Sequence, residues 1–156
     1  MSKPEFVYIT YIETTPEKLF QALTDSAFTK KYWFGTEVRS DWTVGSQLAL
    51  VMDGTVTDTG TVLEYDPPKR LSYSFHHEIR EAARKEKPSR VTLVLEPFDK
   101  LVKLTVTHDG FAPDTVVIGD ISKGWPAILA SLKSLLETGS ALTIPFEALK
   151  IQELSV

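Results

Sequence analysis

From about residue 44 to residue 108 the chain alternates apolar and polar residues, the period-two signature of antiparallel strands with one buried face. Leu71, Tyr73, Phe75 and His77 share one parity, with Ser72, Ser74 and His76 opposite. Val91, Leu93 and Leu95 stand against Thr92, Val94 and Glu96; Val102, Leu104, Val106 and His108 stand against Lys103, Thr105 and Thr107. The pattern predicts strands over 37–39, 47–52, 55–65, 70–77, 91–96 and 101–108. Residues 6–12, dense in Tyr, Val, Ile and Thr, read as a first strand. The period then changes near the end. Trp125, Ile128, Leu129, Leu132, Leu135 and Leu136 recur at helical spacing, which predicts a long amphipathic helix over 122–139. A half-buried antiparallel sheet followed by one long helix is an α+β domain, a curved sheet wrapped around the helix. Such a shape tends to leave a cavity between the two.

Local signals place the connections. Thr15 is a good N-cap, Pro16 suits a first helical turn and Glu17 favours the positive helix end, with Leu19, Phe20 and Leu23 on the inner face. Asp25 or Ser26 can cap a second short helix carrying Phe28, Tyr32 and Trp33, which stops at Gly35. Asp53-Gly54 is a tight-turn dipeptide between two strands, and Pro67 and Pro68 cannot donate to a ladder, so 66–69 is a connection. Residues 78–89 form a charged connection, a hairpin loop or a short exposed helix. After Gly139 the tail carries Leu142, Ile144, Phe146, Leu149, Ile151 and Leu154, too apolar for an idle disordered end. It docks either on its own domain or on a second subunit.

Composition narrows the class. The 156 residues, 42% hydrophobic and 24% charged, suit one soluble domain with a real core. A net charge of −4 argues against nucleic acid, whose binders carry a basic face. Arg80, Arg84, Lys85, Lys87 and Arg90 are diluted by Glu78, Glu81 and Glu86, so the richest basic cluster reads as a mixed solvated loop. The absence of Cys excludes disulfides, thiolate nucleophiles and Cys-ligated zinc. No secretory signal opens the chain and no stretch approaches the roughly 20 apolar residues of a membrane span, so a cytoplasmic location is expected.

The order of elements, strand, two short helices, six strands and a long helix, resembles the helix-grip fold of START-like proteins. Local wording narrows it. Thr15-Pro16-Glu17-Lys18-Leu19-Phe20-Gln21-Ala22-Leu23-Thr24 is similar to the opening helix of the family that includes activators of the heat-shock-protein-90 ATPase, a branch of the SRPBCC superfamily. Lys31-Tyr32-Trp33-Phe34 resembles its second helix end, Gly60 to Leu71 its crossing between middle strands, and Gly124-Trp125 the start of its gripping helix. The resemblance covers residues 4–139; residues 140–156 stand as an extension outside it. It implies relatives that are co-chaperones stimulating a chaperone ATPase, and a wider superfamily of lipid carriers, hormone receptors and polyketide cyclases.

Candidate chemistry is sparse. His76 and His77 are adjacent on a strand and point to opposite faces; His108 shares the inward parity beside Asp109 and reads as a satisfied or solvated side chain. No metal site and no cofactor are expected. No Gly-x-Ser-x-Gly elbow is present. Glu64 and Asp66 share parity, so their carboxylates could sit side by side for acid–base work, or lie on a solvated face. The aromatics carry more. Trp33, Phe34, Trp42, Tyr73, Phe75, His77, Phe111 and Trp125, with Leu129, supply apolar surface and a few polar handles, the mixture typical of a ligand pocket or, equally, of a filled core. Three functions follow in order: a container for a small hydrophobic or amphipathic ligand, with Trp33 and Phe34 capping its opening; a stress-related protein that engages a chaperone through the sheet's outer face or the tail; and a cyclase-type enzyme using His77 or a buried carboxylate. A homodimer through the tail is a further possibility.

Overall fold

The computed structural model describes residues 3–151. Seven strands form one antiparallel sheet: β1 Phe6–Ile12, β2 Thr36–Ser40, β3 Gln47–Met52, β4 Thr55–Asp66, β5 Arg70–His77, β6 Ser89–Phe98 and β7 Leu101–Asp109, in the order β1-β7-β6-β5-β4-β3-β2. Strands β2 to β7 are a simple meander. β1 and β2 lie at opposite edges, so the segment between them must cross the sheet, and α1 Pro16–Thr24 and α2 Ser26–Tyr32 make that crossing. The predicted caps are used: Thr15 Oγ1 accepts Lys18 N–H at 3.2 Å, and Asp25 Oδ1 accepts Ala27 N–H at 2.8 Å. Asp53 and Gly54 take positive φ together, as a tight hairpin turn demands.

The sheet curves because its ladder is interrupted twice. Register shifts occur at Leu50/Val51 and at Val62/Glu64, and a bulge bends and twists the strand that carries it. Gly60 lies in this region, where a Cβ would fall 1.8 Å from the Ser74 carbonyl oxygen. Only a glycine lets β4 approach β5 so closely.

The long helix α4, Val117–Thr138, packs its Ile121, Trp125, Ile128, Leu129 and Leu132 face into the core with Leu71, Tyr73, Val91, Leu93 and Leu104 of the sheet. It ends at Gly139, left-handed at φ 87°, the C-cap that the sequence marks. Its start differs from expectation: the helix begins at Val117, before the predicted 122. Residues 116–119 are a β-branched run followed by Gly, poor in helix propensity, and what holds them is remote. Glu86 accepts Thr115 Oγ1–H at 2.6 Å and Val116 N–H at 2.8 Å, and Thr115 Oγ1 accepts Val117 N–H at 3.0 Å. Glu86 comes from the charged connection, which contains a one-turn helix, α3 Glu81–Arg84.

The tail docks on its own domain. From Gly139 it runs back along α4. Ser134 Oγ donates to the Ser140 carbonyl at 2.6 Å, Ser131 Oγ accepts Leu142 N–H at 3.2 Å, and Lys123 Nζ donates to the Lys150 carbonyl at 3.2 Å. Residues Phe146–Leu149 form a 3₁₀ turn on the way. Leu154, counted among the tail's apolar residues, lies outside the described residues.

Candidate functional site

Beneath α4 the space between helix and sheet has two ends of different character. At one end His108, with no exposed surface, is fully bonded. Trp125 Nε1–H donates to its Nδ1 at 3.2 Å, so the proton sits on Nε2, which meets Ser89 Oγ at 2.8 Å; Ser89 Oγ donates on to the Phe75 carbonyl at 3.2 Å. Burial drives the His108 pKa down from 6.5 to about 3, against a smaller upward pull from Asp109. The ring stays neutral at physiological pH and ties the helix to the sheet. Phe111 stacks on it at 4.7 Å between centroids, and Phe75 meets it edge-on at 5.0 Å. This end is solid.

At the other end lies a cavity. Trp33 and Phe34 at the end of α2, Leu50 and Met52 of β3, Phe75 of β5, and Ile121, Gly124, Trp125 and Ile128 of α4 make its apolar wall, closed on one side by Phe146 and Ile151 of the tail. Thr36, Thr57, Asp58 and Asp120 are its polar lining. Thr57 and Asp58 are consecutive on β4, and regular alternation would send them to opposite faces. The bulge that pairs Leu50 with Asp58 and Val51 with Val56 leaves Thr57 between them and turns both inward.

The polar lining is organised. Thr57 Oγ1 donates to Asp58 Oδ2 at 2.8 Å, and Asp58 Oδ1 lies 3.0 Å from His77 Nδ1. Arg80 N–H points at His77 Nε2 at 2.9 Å, so both ring nitrogens are engaged by the protein, and Arg80 Nη1 lies 3.8 Å from Asp120 Oδ2. Tyr73 is pushed well above its ordinary pKa by burial and then by the charge of Asp58; Tyr32, raised by burial and by Tyr73, donates to the Ala22 carbonyl at 2.8 Å. Both phenols stay protonated.

The structure thus brings together Trp33, Phe34, Phe75 and Trp125 of the candidate residues, with Trp33 and Trp125 at 5.5 Å between centroids. His77 stands behind Asp58, while Tyr73 and Leu129 belong to the packed core and Phe111 to the His108 end. Trp42 lies elsewhere: its indole N–H donates to the Thr24 carbonyl at 3.0 Å and its ring stacks near Tyr65 at 6.1 Å. Asp58, Thr57 and Asp120 were not among the sequence candidates. Glu64 is exposed and bonded to Arg70 at 2.8 Å. Among the described residues no group of three His, Cys, Asp or Glu side chains is placed to hold a metal ion, and no helix is long and apolar enough to cross a membrane.

A curved antiparallel sheet gripping one long helix, with a cavity between them, is the helix-grip architecture of START-like proteins. Residues 13–137 match the family model described as "Activator of Hsp90 ATPase homolog 1-like protein", and the chain belongs to that family. No curated protein sequence matches the chain at a significant level. Among solved structures, a Mesorhizobium loti protein is similar at 29% identity and TM-score 0.74, over 85% of this chain and 96% of that one. The solution structure of the Aha1 dimer from Colwellia psychrerythraea shares the fold at TM-score 0.72 and 24% identity, over 87% of this chain and 98% of that one. An Hsp90 activator from Plasmodium falciparum shares it at TM-score 0.70 and 21% identity, over 85% and 95%.

Proposed function

We propose that the protein is a binding module for a small hydrophobic or amphipathic ligand, held between the sheet and α4. The observation that carries this reading is the asymmetry of the interior: one end is packed solid, while the other keeps a cavity with an aromatic wall and an ordered polar lining. Ligand sites combine these two ingredients. Trp33, Phe34, Phe75 and Trp125 would contact the ligand's apolar body. Asp58 and Asp120 at the polar lining are already engaged inside the protein, by His77 and Thr57 and by Arg80, so the site suits a largely apolar, neutral ligand. The test is native mass spectrometry of the protein purified from its own host, followed by denaturing extraction. A reproducible small-molecule adduct is expected, retained less well by Phe75→Ala. A clean apo mass at every purification would count against carriage.

A second reading, engagement of an Hsp90-type chaperone, is favoured by the family and by a separate surface. Val7, Ile9 and Tyr11 stand exposed along the edge strand β1, with Phe98 packed edge-on against Tyr11 at 5.1 Å. Stimulation of the purified chaperone's ATPase, lost in Ile9→Asp, would establish it; no stimulation would remove it. The Colwellia dimer brings self-association into the same reading, with exchange of the tail between two copies as its form. A dimer that survives removal of residues 140–156 would exclude that form.

A further inference from the structure

The cavity is too small for its proposed use as it stands. It measures about 50 Å³, room for a few waters, whereas roughly 150 Å³ admits a benzene ring. What limits it on one side is the tail. Phe146 meets Phe34 edge-on, 5.0 Å between centroids and 83° between planes, and Ile151 Cδ1 reaches Gly124, ending 3.7 Å from where a Cβ would be. Both side chains form part of the wall.

The tail is held in a way that suits release. No residue from 140 to 151 is buried; Ile144, Phe146, Leu149 and Ile151 are half-buried. Its hydrogen bonds to the domain fall at its two ends. Ser140 and Leu142 are bound by Ser134, Thr138 and Ser131 of α4, and Lys150 by the flexible amine of Lys123. Between them the 3₁₀ turn closes on itself through Ala148 N–H to the Pro145 carbonyl at 3.0 Å. Phe34, which receives Phe146, is a non-glycine residue held at φ 51°, a conformation that persists only where surrounding structure imposes it. Segments with few buried contacts open at low free-energy cost.

We propose that residues 140–151 are a displaceable plug for the cavity. Seated, Phe146 and Ile151 occupy the mouth of the groove between α2, β3 and α4; released, they open it to a neutral apolar ligand. The tail and the ligand compete for one apolar surface, so occupancy of the site and release of the tail are linked. This rests on the container reading above and adds its regulation.

The test is fluorescence titration of the full chain with the neutral probe N-phenyl-1-naphthylamine, beside Ser131→Ala/Ser134→Ala. Neither serine lines the cavity, so this variant loosens the tail's base without altering the wall. Its apparent Kd is expected to fall about tenfold, because affinity scales with the open fraction. A peptide of residues 140–151 added in trans should displace the probe from the same variant. Truncation after Gly139, checked for folding by circular dichroism, provides a second measurement with the same expected direction. Equal affinity in all forms would overturn the plug and leave the container standing. Absence of probe uptake in every form would overturn both.

Discussion

The two ends of the interior are built from the same helix face and the same sheet, yet they differ in how their polar atoms are spent. At the His108 end a closed chain of hydrogen bonds runs from Trp125 through His108 and Ser89 to the Phe75 carbonyl, and aromatic rings fill what remains. At the Asp58 end the ladder bulges, two consecutive polar side chains turn inward, and the space is finished by residues 140–151 of the tail, none of which is buried. A curved sheet therefore does not make a container by shape alone. One end has been filled and stapled; the other has been left to be covered.

The largest expected effect breaks the solid end with acid. His108 carries a pKa near 3 in the fold against 6.5 ordinarily, so the unfolded chain binds the extra proton first. The stability this contributes is full above pH 6.5 and drains as pH falls toward 3, by on the order of 5 kcal/mol over that span. Urea titrations at pH 7 and pH 5 should show the loss, and His108→Asn should flatten that part of the pH dependence. Next, Trp125→Phe leaves the buried Nδ1 without its donor and should cost about 1–3 kcal/mol in thermal or urea unfolding. Glu86→Gln weakens the remote cap of α4 and should cost about 1 kcal/mol, with faster amide exchange confined to the first turn of that helix. At the hollow end the sign reverses. Gly124→Ala places a methyl in ordinary contact with Ile151 and removes a helix-interior glycine, so it should stabilise by roughly 0.5–1 kcal/mol. Destabilisation by Gly124→Ala would mean that this end is as tightly filled as the other.

The difference between the ends also decides what the sequence reveals. Strict alternation exposes the strands, and Thr15, Asp25, the Asp53-Gly54 turn and Gly139 announce themselves because each acts on its immediate neighbours. Trp33, Phe34, Phe75 and Trp125 are legible from local signals too: Phe75 by its inward strand parity, Trp125 by helical spacing, and Trp33 and Phe34 as apolar bulk at the end of a short helix. The polar lining is not, because Thr57 and Asp58 reach the cavity through a bulge, and alternation contains no sign of where a ladder skips a residue. The first turn of α4 is hidden because its cap, Glu86, lies 30 residues before the Val116 N–H that it accepts. Trp42 has the composition of a pocket residue, but the left-handed turn at φ 57° delivers it to Thr24 and Tyr65, where it lines a separate open groove with Ser40, Asp41 and Gln47 rather than the cavity under α4. The tail's apolarity reveals that it docks; only the structure places Phe146 on Phe34.

The most direct test of a hollow, ligand-accepting end is a ¹⁵N NMR titration of the full chain with N-phenyl-1-naphthylamine, read at the three tryptophan indole N–H signals. Trp33 and Trp125 line the cavity, whereas Trp42, bonded to Thr24, serves as an internal reference outside it. The account predicts saturable shifts at Trp33 and Trp125, joined by the amides of Thr57, Asp58 and Phe146, with Trp42 unmoved. Shifts confined to Val7, Ile9 and Tyr11 on the outer face, or no shifts at Trp33 and Trp125 at saturating probe, would contradict it.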